Sequence, residues 1–240
     1  MTSTELRLLG SFEIAAADAP VIVPSPGTQR LVVLLALRDR VVSRAAVAGA
    51  LWPDASTDLA ALRLRAALTR LDPAARSVVQ LMPGGLRLDA ACEVDYRDAR
   101  AYAEGLLEPE HPSPRASAAE TRASIAVLCL ELLPDSYDDW VLTEAEDWRL
   151  LRAAALEALT ATLSADDRPH LAMGAARAAI RNEPLRETAH AALIRLHLVA
   201  GNQHEALRVY ERYAVALHEA LQLSPSPMLR ALVTELVPQQ

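Results

Sequence analysis

Three histidines recur every seven residues near the C-terminus, at His190, His197 and His204. Imidazoles at such intervals could hold a metal. Gly201-Asn202 breaks the helix between the last two, however, and no cysteine or paired carboxylate joins them, so no metal site is expected. The stretch LLPDSYDDWV at 132–141 gathers Asp135, Asp138 and Asp139 beside Tyr137 and Trp140, which has the look of a catalytic cluster. Those residue types suit a helix start better: Tyr137 and Trp140 pack the turn while Asp138 or Asp139 caps the next helix. Cys92 and Cys129 have no metal or redox spacing and sit among apolar neighbours, so both read as small core residues. All 24 basic residues are arginine. The lack of lysine excludes a Walker A lysine, a Schiff-base lysine and a Ser-Lys dyad. No Gly-rich phosphate loop, nucleophile elbow or Cys/His pair is present. Neither an enzyme nor a cofactor is expected.

The remaining chemistry is that of arginines on a helix. Residues 56–71 carry a helical period, with Ser56 or Thr57 as N-cap. At 100° per residue, Ala60, Ala61, Leu64, Ala67, Leu68 and Leu71 form a core stripe. Leu59, Leu62, Ala66 and Thr69 point the other way, flanked by Arg63 and Arg70 on one side and Arg65 on the other. Short side chains between cations suit a DNA groove: methyls meet thymine methyls, and arginine reaches guanine or phosphate. The same pattern also describes an amphipathic helix with solvated arginines, so the elements around it must decide.

Those elements are ordered as strands, three helices and a hairpin. Leu6, Leu8 and Ile14 lie around Gly10-Ser11, and Val21, Ile22 and Val23 follow Ala19-Pro20, which predicts a small antiparallel sheet of two or three strands. Thr28 is the expected N-cap of a helix over 29–38, and Asp39-Arg40 turns the chain. Ser43 caps a second helix over 44–51, ended by Trp52-Pro53. The third helix closes at Asp72-Pro73. Strands over 78–81 and 86–88 flank Pro83-Gly84-Gly85.

The rest of the chain reads as helices: 96–107, 118–132, 143–164 and 170–181, with a proline-containing loop over 108–117. Trp148, Leu151, Ala155 and Leu159 share one face of the third of these. The last helix puts Ala206, Leu207, Tyr210, Ala214 and Leu217 on one face and stops at Ser224-Pro225. Ala176 and Ile180 are echoed 30 residues later by Ala206 and Tyr210, and Gly201, Ala206 and Tyr210 sit at tetratricopeptide-like spacings. Stacked helical hairpins make grooves for proteins, so binding follows more naturally than catalysis.

At 240 residues and 52% apolar, the chain has enough material for two cores. The formal charge of −7 is uneven: residues 1–94 hold ten arginines against nine acids, leaving −8 for 95–240. A near-neutral head on an acidic body fits an N-terminal domain that approaches a polyanion. No apolar run has the length of a membrane span, and the N-terminus has no secretory pattern, so a cytoplasmic protein is expected.

The segment HEALRVYERYAVALHEALQLSPSPMLRAL, from His204, resembles the C-terminal signature of the bacterial transcriptional activation domain found in the Streptomyces antibiotic regulatory protein family. EPLRETAHAALIRLHLVAGN (183–202) and LLPDSYDDWV are similar to further stretches of it. VVSRAAVAGALWPD (41–54) resembles the family's second helix, ALRLRAALTRL (61–71) its recognition helix, and GGLRLD (84–89) its wing. The resemblance implies a mainly α protein with a small β component. A winged-helix DNA-binding domain over 1–94 would precede an all-α, tetratricopeptide-like activation domain over 95–240. It implies the short form, a DNA-binding set of Arg30, Arg44, Thr57, Leu62, Arg63, Arg65, Ala66, Thr69, Arg70 and Arg87, and a nucleoid-associated location. The implied partners are double-stranded promoter DNA with direct repeats, a second copy of the chain on those repeats, and RNA polymerase with its sigma factor. Control of a secondary-metabolite cluster follows from the same resemblance. The alternative is a regulatory interaction module with a degenerate winged helix that does not bind DNA.

Overall fold

Strand β1 (Thr4–Arg7) is the centre of a three-stranded sheet, pairing antiparallel with β2 (Glu13–Ala16) and parallel with β5 (Cys92–Val94). The register sets Leu6 opposite both Ile14 and Val94, and all three are buried. The computed structural model describes residues 4–16, 24–108 and 116–236. The expected strand at Val21, Ile22 and Val23 lies outside them. The chain divides into two compact units, Met1–Asp98 with Glu131–Asp147 and Ala99–Leu130 with Trp148–Gln240.

In the first unit, α1 (Pro26–Arg38) is buried nearly all round through Leu31 to Ala36. It starts at Pro26, whose missing N–H costs nothing in a first turn. Thr28, the expected cap, is therefore inside the helix, where its hydroxyl receives a hydrogen bond from Ser25 Oγ at 3.1 Å. Asp39 ends α1 in the left-handed region at φ 45°. Ser43 caps α2 (Arg44–Leu51) as expected, accepting from the Ala46 N–H at 3.2 Å. Of the two candidates for α3 (Thr57–Thr69), Ser56 is the cap. Asp72-Pro73 does more than close α3. The Asp72 carboxylate accepts the Ala75 N–H at 2.9 Å and opens a short helix, α4 (Pro73–Val78), that was not expected. The hairpin of β3 (Val79–Met82) and β4 (Gly85–Leu88) follows. Val42 exchanges both backbone hydrogen bonds with Leu86 at 2.8 Å, which ties the hairpin to the start of α2. Strands, three helices, the short added α4 and a hairpin, in this order, make a winged helix.

The sheet is completed from afar in sequence. The Asp95 carboxylate accepts the N–H groups of Leu8 (2.8 Å) and Leu9 (3.2 Å). Burial raises its pKa above the ordinary value, against the pull of these N–H groups and that of Tyr96. Leu9 bridges antiparallel to Leu132, Gly10 N–H donates to Glu131 O, and Leu133 N–H donates to Leu8 O. The helix expected to reach residue 132 therefore stops earlier: α6 is Ala118–Leu128, opened by a Ser117/Glu120 capping box. Asp138 does not cap α7 (Asp139–Ala165) with its side chain; its carboxylate holds Arg30 in a bidentate pair at 2.6 and 2.8 Å. Tyr137 is 83% exposed and packs no turn, and Trp140 is only half-buried. The expected packing role fails for the tyrosine: the turn before it is closed by the backbone bond from Ser136 N–H to Leu133 O at 2.9 Å, and α7 opens on bonds from Val141 and Leu142 to Asp138 O.

The second unit is helical. It takes the rest of α5 (Asp95–Leu106), whose Ala99, Ala103 and Leu106 are buried, then α6 and most of α7. There follow α8 (Pro169–Asn182), α9 (Glu187–Val199), α10 (Gln203–Leu221) and α11 (Pro227–Ala231). Successive helices α8, α9 and α10 pack in series as tetratricopeptide-like hairpins, and five buried alanines of α8 allow close approach. The buried stripe of α10 is Ala206, Val209, Tyr213 and Leu217, so Tyr213 replaces the expected Tyr210, which is half-buried. Arg152 is buried and donates to the Cys129 and Leu130 carbonyls at the end of α6. Cys129 is half-buried at that helix end. Cys92 is buried, and burial pushes its thiol up to about 11, so it stays protonated at neutral pH.

His190 and His197 are both buried on α9, while His204 is exposed on α10. Burial lowers both buried imidazoles below the ordinary 6.5, helped by Arg212 beside His190 and Arg177 beside His197. The Pro184 carbonyl and Glu187 on His190, and Glu205 on His197, oppose the shift without reversing it. The unfolded chain thus takes up protons first as pH falls. The stability these groups contribute is full above about 6.5 and is lost as pH drops through their lowered folded values. Urea midpoints are expected to fall between pH 7 and pH 5. The fall should be shallower in His190→Gln/His197→Gln, and an unchanged slope would contradict this assignment.

Candidate nucleic-acid interface

Helix α3 buries Ala60 and Leu64 and leaves Ala61, Ala67 and Leu68 half-buried. Its other side carries Leu59, Leu62, Arg63, Arg65, Thr69 and Arg70, all exposed, with Ala66 half-buried. Leu62 is 57% exposed at the centre of this face. The guanidinium groups of Arg63, Arg65 and Arg70 have no hydrogen bond or ion pair among the described residues. Thr69 Oγ1 donates to Arg65 O at 2.9 Å, which ties the hydroxyl back to its own helix.

The expected residues outside α3 fall into three places. Arg44 is exposed at the first position of α2, and Thr57 is exposed at the first position of α3. Together with Arg65 they rim a cavity of about 450 Å³ between α2 and α3, floored by Ala48, Gly49 and Ala60. Arg87 lies on the wing strand β4. Its Nε donates to Gln80 Oε1 at 2.8 Å, and Gln80 Nε2 donates to Asp89 Oδ2 at 2.7 Å. The Ala91 N–H and that Gln80 bond hold the Asp89 carboxyl below its ordinary value, so Arg87 is oriented by an anionic relay across the hairpin. Arg30 is elsewhere. Its guanidinium is locked to both carboxylate oxygens of Asp138, so its charge is neutralised within the fold and it does not join the α3 face.

Two acids bear on the same face and escaped the sequence reading. Asp54 and Asp58 are exposed just before α3 and in its first turn. Asp58 suits the positive end of the helix dipole but repels a phosphate there. A charge inventory of the approach to α3, as well as of the helix itself, would have found them. The interface can therefore supply cations at the middle and C-terminal end of α3, at α2 and on the wing.

Among the described residues, no group of three or more His, Cys, Asp or Glu side chains is placed to hold a metal ion. Among the same residues, no helix is long and apolar enough to cross a membrane. No curated protein matches the chain. Among solved structures, the chain is similar to Mycobacterium tuberculosis EmbR in complex with low affinity phosphopeptide. The TM-score is 0.66 at 23% sequence identity, covering 100% of this chain and 66% of that one. The chain thus spans slightly under two thirds of that protein's length, and the likeness is one of fold: a small N-terminal sheet and winged helix, then helical hairpins. The sequence model of the bacterial transcriptional activator domain matches residues 94–237, from β5 to the end of the described helices. That match takes in more than half of the chain, including the α8–α10 hairpins, and by it the chain belongs to the bacterial transcriptional activator domain family.

Proposed function

We propose that this protein is a sequence-specific DNA-binding transcriptional activator. It reads promoter DNA with the outer face of α3, and Arg44, Thr57 and Arg87 contact the backbone around it. The observation that carries the reading is the set of three unpartnered guanidinium groups, Arg63, Arg65 and Arg70, flanking a face of short and apolar side chains. Arginine at the edge of such a face reaches phosphate or guanine, while alanine and threonine methyls meet thymine. Family membership supports activation as the outcome. The finer reading is a pathway-specific regulator of a secondary-metabolite cluster that binds direct repeats as a homodimer in the cytoplasm and recruits RNA polymerase through its sigma factor. It rests on the resemblance of residues 132–141 and 183–231 to that class of activators.

The test is a mobility-shift titration on direct-repeat promoter DNA from the neighbouring gene cluster. Arg63→Ala/Arg70→Ala is expected to weaken binding by roughly 1–3 kcal/mol for each arginine that reaches a base edge. Affinity of the parent protein should fall steeply with salt. Equal shifts by parent and variant would sink the groove assignment. That outcome favours a second reading, an interaction module, for which exposed Leu59 and Leu62 on α3 and Leu81 on the wing supply the apolar surface.

A further inference from the structure

The second unit holds a cavity that activation by itself does not use. It lies between α8, α9 and α10 and measures about 390 Å³, within the roughly 300–1,000 Å³ range of small-molecule sites. Its charge runs against its surroundings. Residues 95–240 carry a net −8, yet Arg177 and Arg181 of α8 and Arg212 of α10 line this one space. Arg177 and Arg181 have no hydrogen bond or ion pair among the described residues, and Arg212 meets only the Arg208 carbonyl of its own helix, at 3.3 Å. The one acid in the lining, Glu205, is drawn off by Arg208 at 2.9 Å.

The floor is made by two neutral imidazoles. His190 and His197 line the cavity and are only 6% and 4% exposed, and each has a buried Nδ1 without a hydrogen-bond partner. The Nε2 of His190 lies 2.9 Å from the Pro184 carbonyl, which places the proton on Nε2 and leaves Nδ1 a bare acceptor. The ring is held at 4.4 Å from that of Tyr213, so it cannot swing out to find water. A bare acceptor offers an oxyanion no hydrogen bond, so the imidazoles form a neutral floor beneath the ligand while the three arginines supply the charge and the donors. Ile180, Leu193 and Val209 supply apolar wall between the polar groups.

We propose that this cavity binds a small organic oxyanion, with its carboxylate or phosphate head between Arg177, Arg181 and Arg212 and its apolar body on the Leu193–Val209 side. Guanidinium forks match either head group in bidentate fashion. The site would give the activator a small-molecule input, and it stands or falls independently of the DNA reading.

Calorimetric titration of the full chain with phenyl phosphate and with benzoate tests this, with benzyl alcohol as the neutral control and the histidine Cε1–H signals followed by NMR. At least one anion is expected to bind at one site per chain with a Kd below about 1 mM. It should shift the His190 and His197 signals, and Arg177→Gln/Arg181→Gln should weaken it about tenfold or more. Arg195→Gln, an exposed arginine of α9 outside the cavity lining, should change nothing. Binding of phenyl phosphate alone identifies a phosphate ester as the natural class, and benzoate alone a carboxylate. Because the two α8 arginines are exposed, their variant is expected to melt like the parent; Arg212→Gln provides a second variant should it not. Absence of binding by both anions would overturn the proposal. So would equal affinity in the arginine variants, or benzyl alcohol binding as tightly as the anions.

Discussion

Gly85→Ala is expected to destabilise the first unit by about 3–5 kcal/mol, combining backbone strain with overpacking. Gly85 opens β4 at φ 153°, a conformation that L side chains rarely adopt. A Cβ built there falls 2.0 Å from Val42 O and 2.6 Å from Val42 C, and 2.9 Å from Ser43 Cα. These are backbone atoms, and they cannot yield locally. Val42 exchanges both of its backbone hydrogen bonds with Leu86, and Ser43 is the cap of α2. Relief would have to part the wing from the helix-turn-helix, so the proposed DNA affinity should fall with stability. Gly49→Ala is the control in the same unit. It is a mid-helix glycine with nothing within 4 Å of the added carbon, and it should gain roughly 0.5–1 kcal/mol. Urea unfolding of the full chain reads both. A loss below about 1 kcal/mol in Gly85→Ala would show that the hairpin is not held against Val42 as described.

The second large effect is expected at Trp148, which is 1% exposed within α7. Trp148→Ala should cost about 3–5 kcal/mol. Two terms contribute, and the structure ranks them. The indole Nε1 donates to Leu130 O at 3.0 Å, but Arg152 Nη1 donates to the same carbonyl at 2.8 Å. Losing the indole therefore leaves Leu130 O with a partner, and the cost is dominated by the cavity. Trp148→Phe keeps most of the volume and should lose only about 1–2 kcal/mol. Denaturant midpoints of the two variants separate these terms. Equal losses would mean that the hydrogen bond, rather than the ring volume, holds the end of α6. Trp140 offers a contrast within the same helix: it is half-buried, so truncation there should cost less.

Much of this protein was legible without coordinates because the forces involved act within one turn of chain. A serine cap reaches an N–H three residues on, which is why Ser43 could be read directly and the cap of α3 narrowed to Ser56 or Thr57. The helical period sorted α3 into a buried stripe and an outer arginine face, and the observed exposure follows it. Where two local patterns compete, sequence alone chose less well. Asp72-Pro73 reads equally as the end of one helix and the start of the next, and only the Asp72–Ala75 bond separates them. On α10 the stripe rotated by less than one turn, from Tyr210 to Tyr213, because Tyr213 stacks on His190 and its hydroxyl reaches Leu185 O and Glu187.

What only the tertiary structure decided are the pairings between residues far apart in the chain. Arg30 was assigned to DNA on resemblance, yet it pairs with Asp138, 108 residues away. Asp95 was the first residue of the expected second domain; it accepts a hydrogen bond from the backbone of Leu8, 87 residues away. Residues 131 and 132 read as helix and instead, with Leu133, bond to the chain at Leu8 to Gly10, so 131–147 belongs in space to the first unit although the family match assigns it to the helical region. No periodicity encodes such pairings. Each depends on a carboxylate or a strand edge finding its partner only after the intervening helices have packed, and a local pattern carries no information about which partner that is.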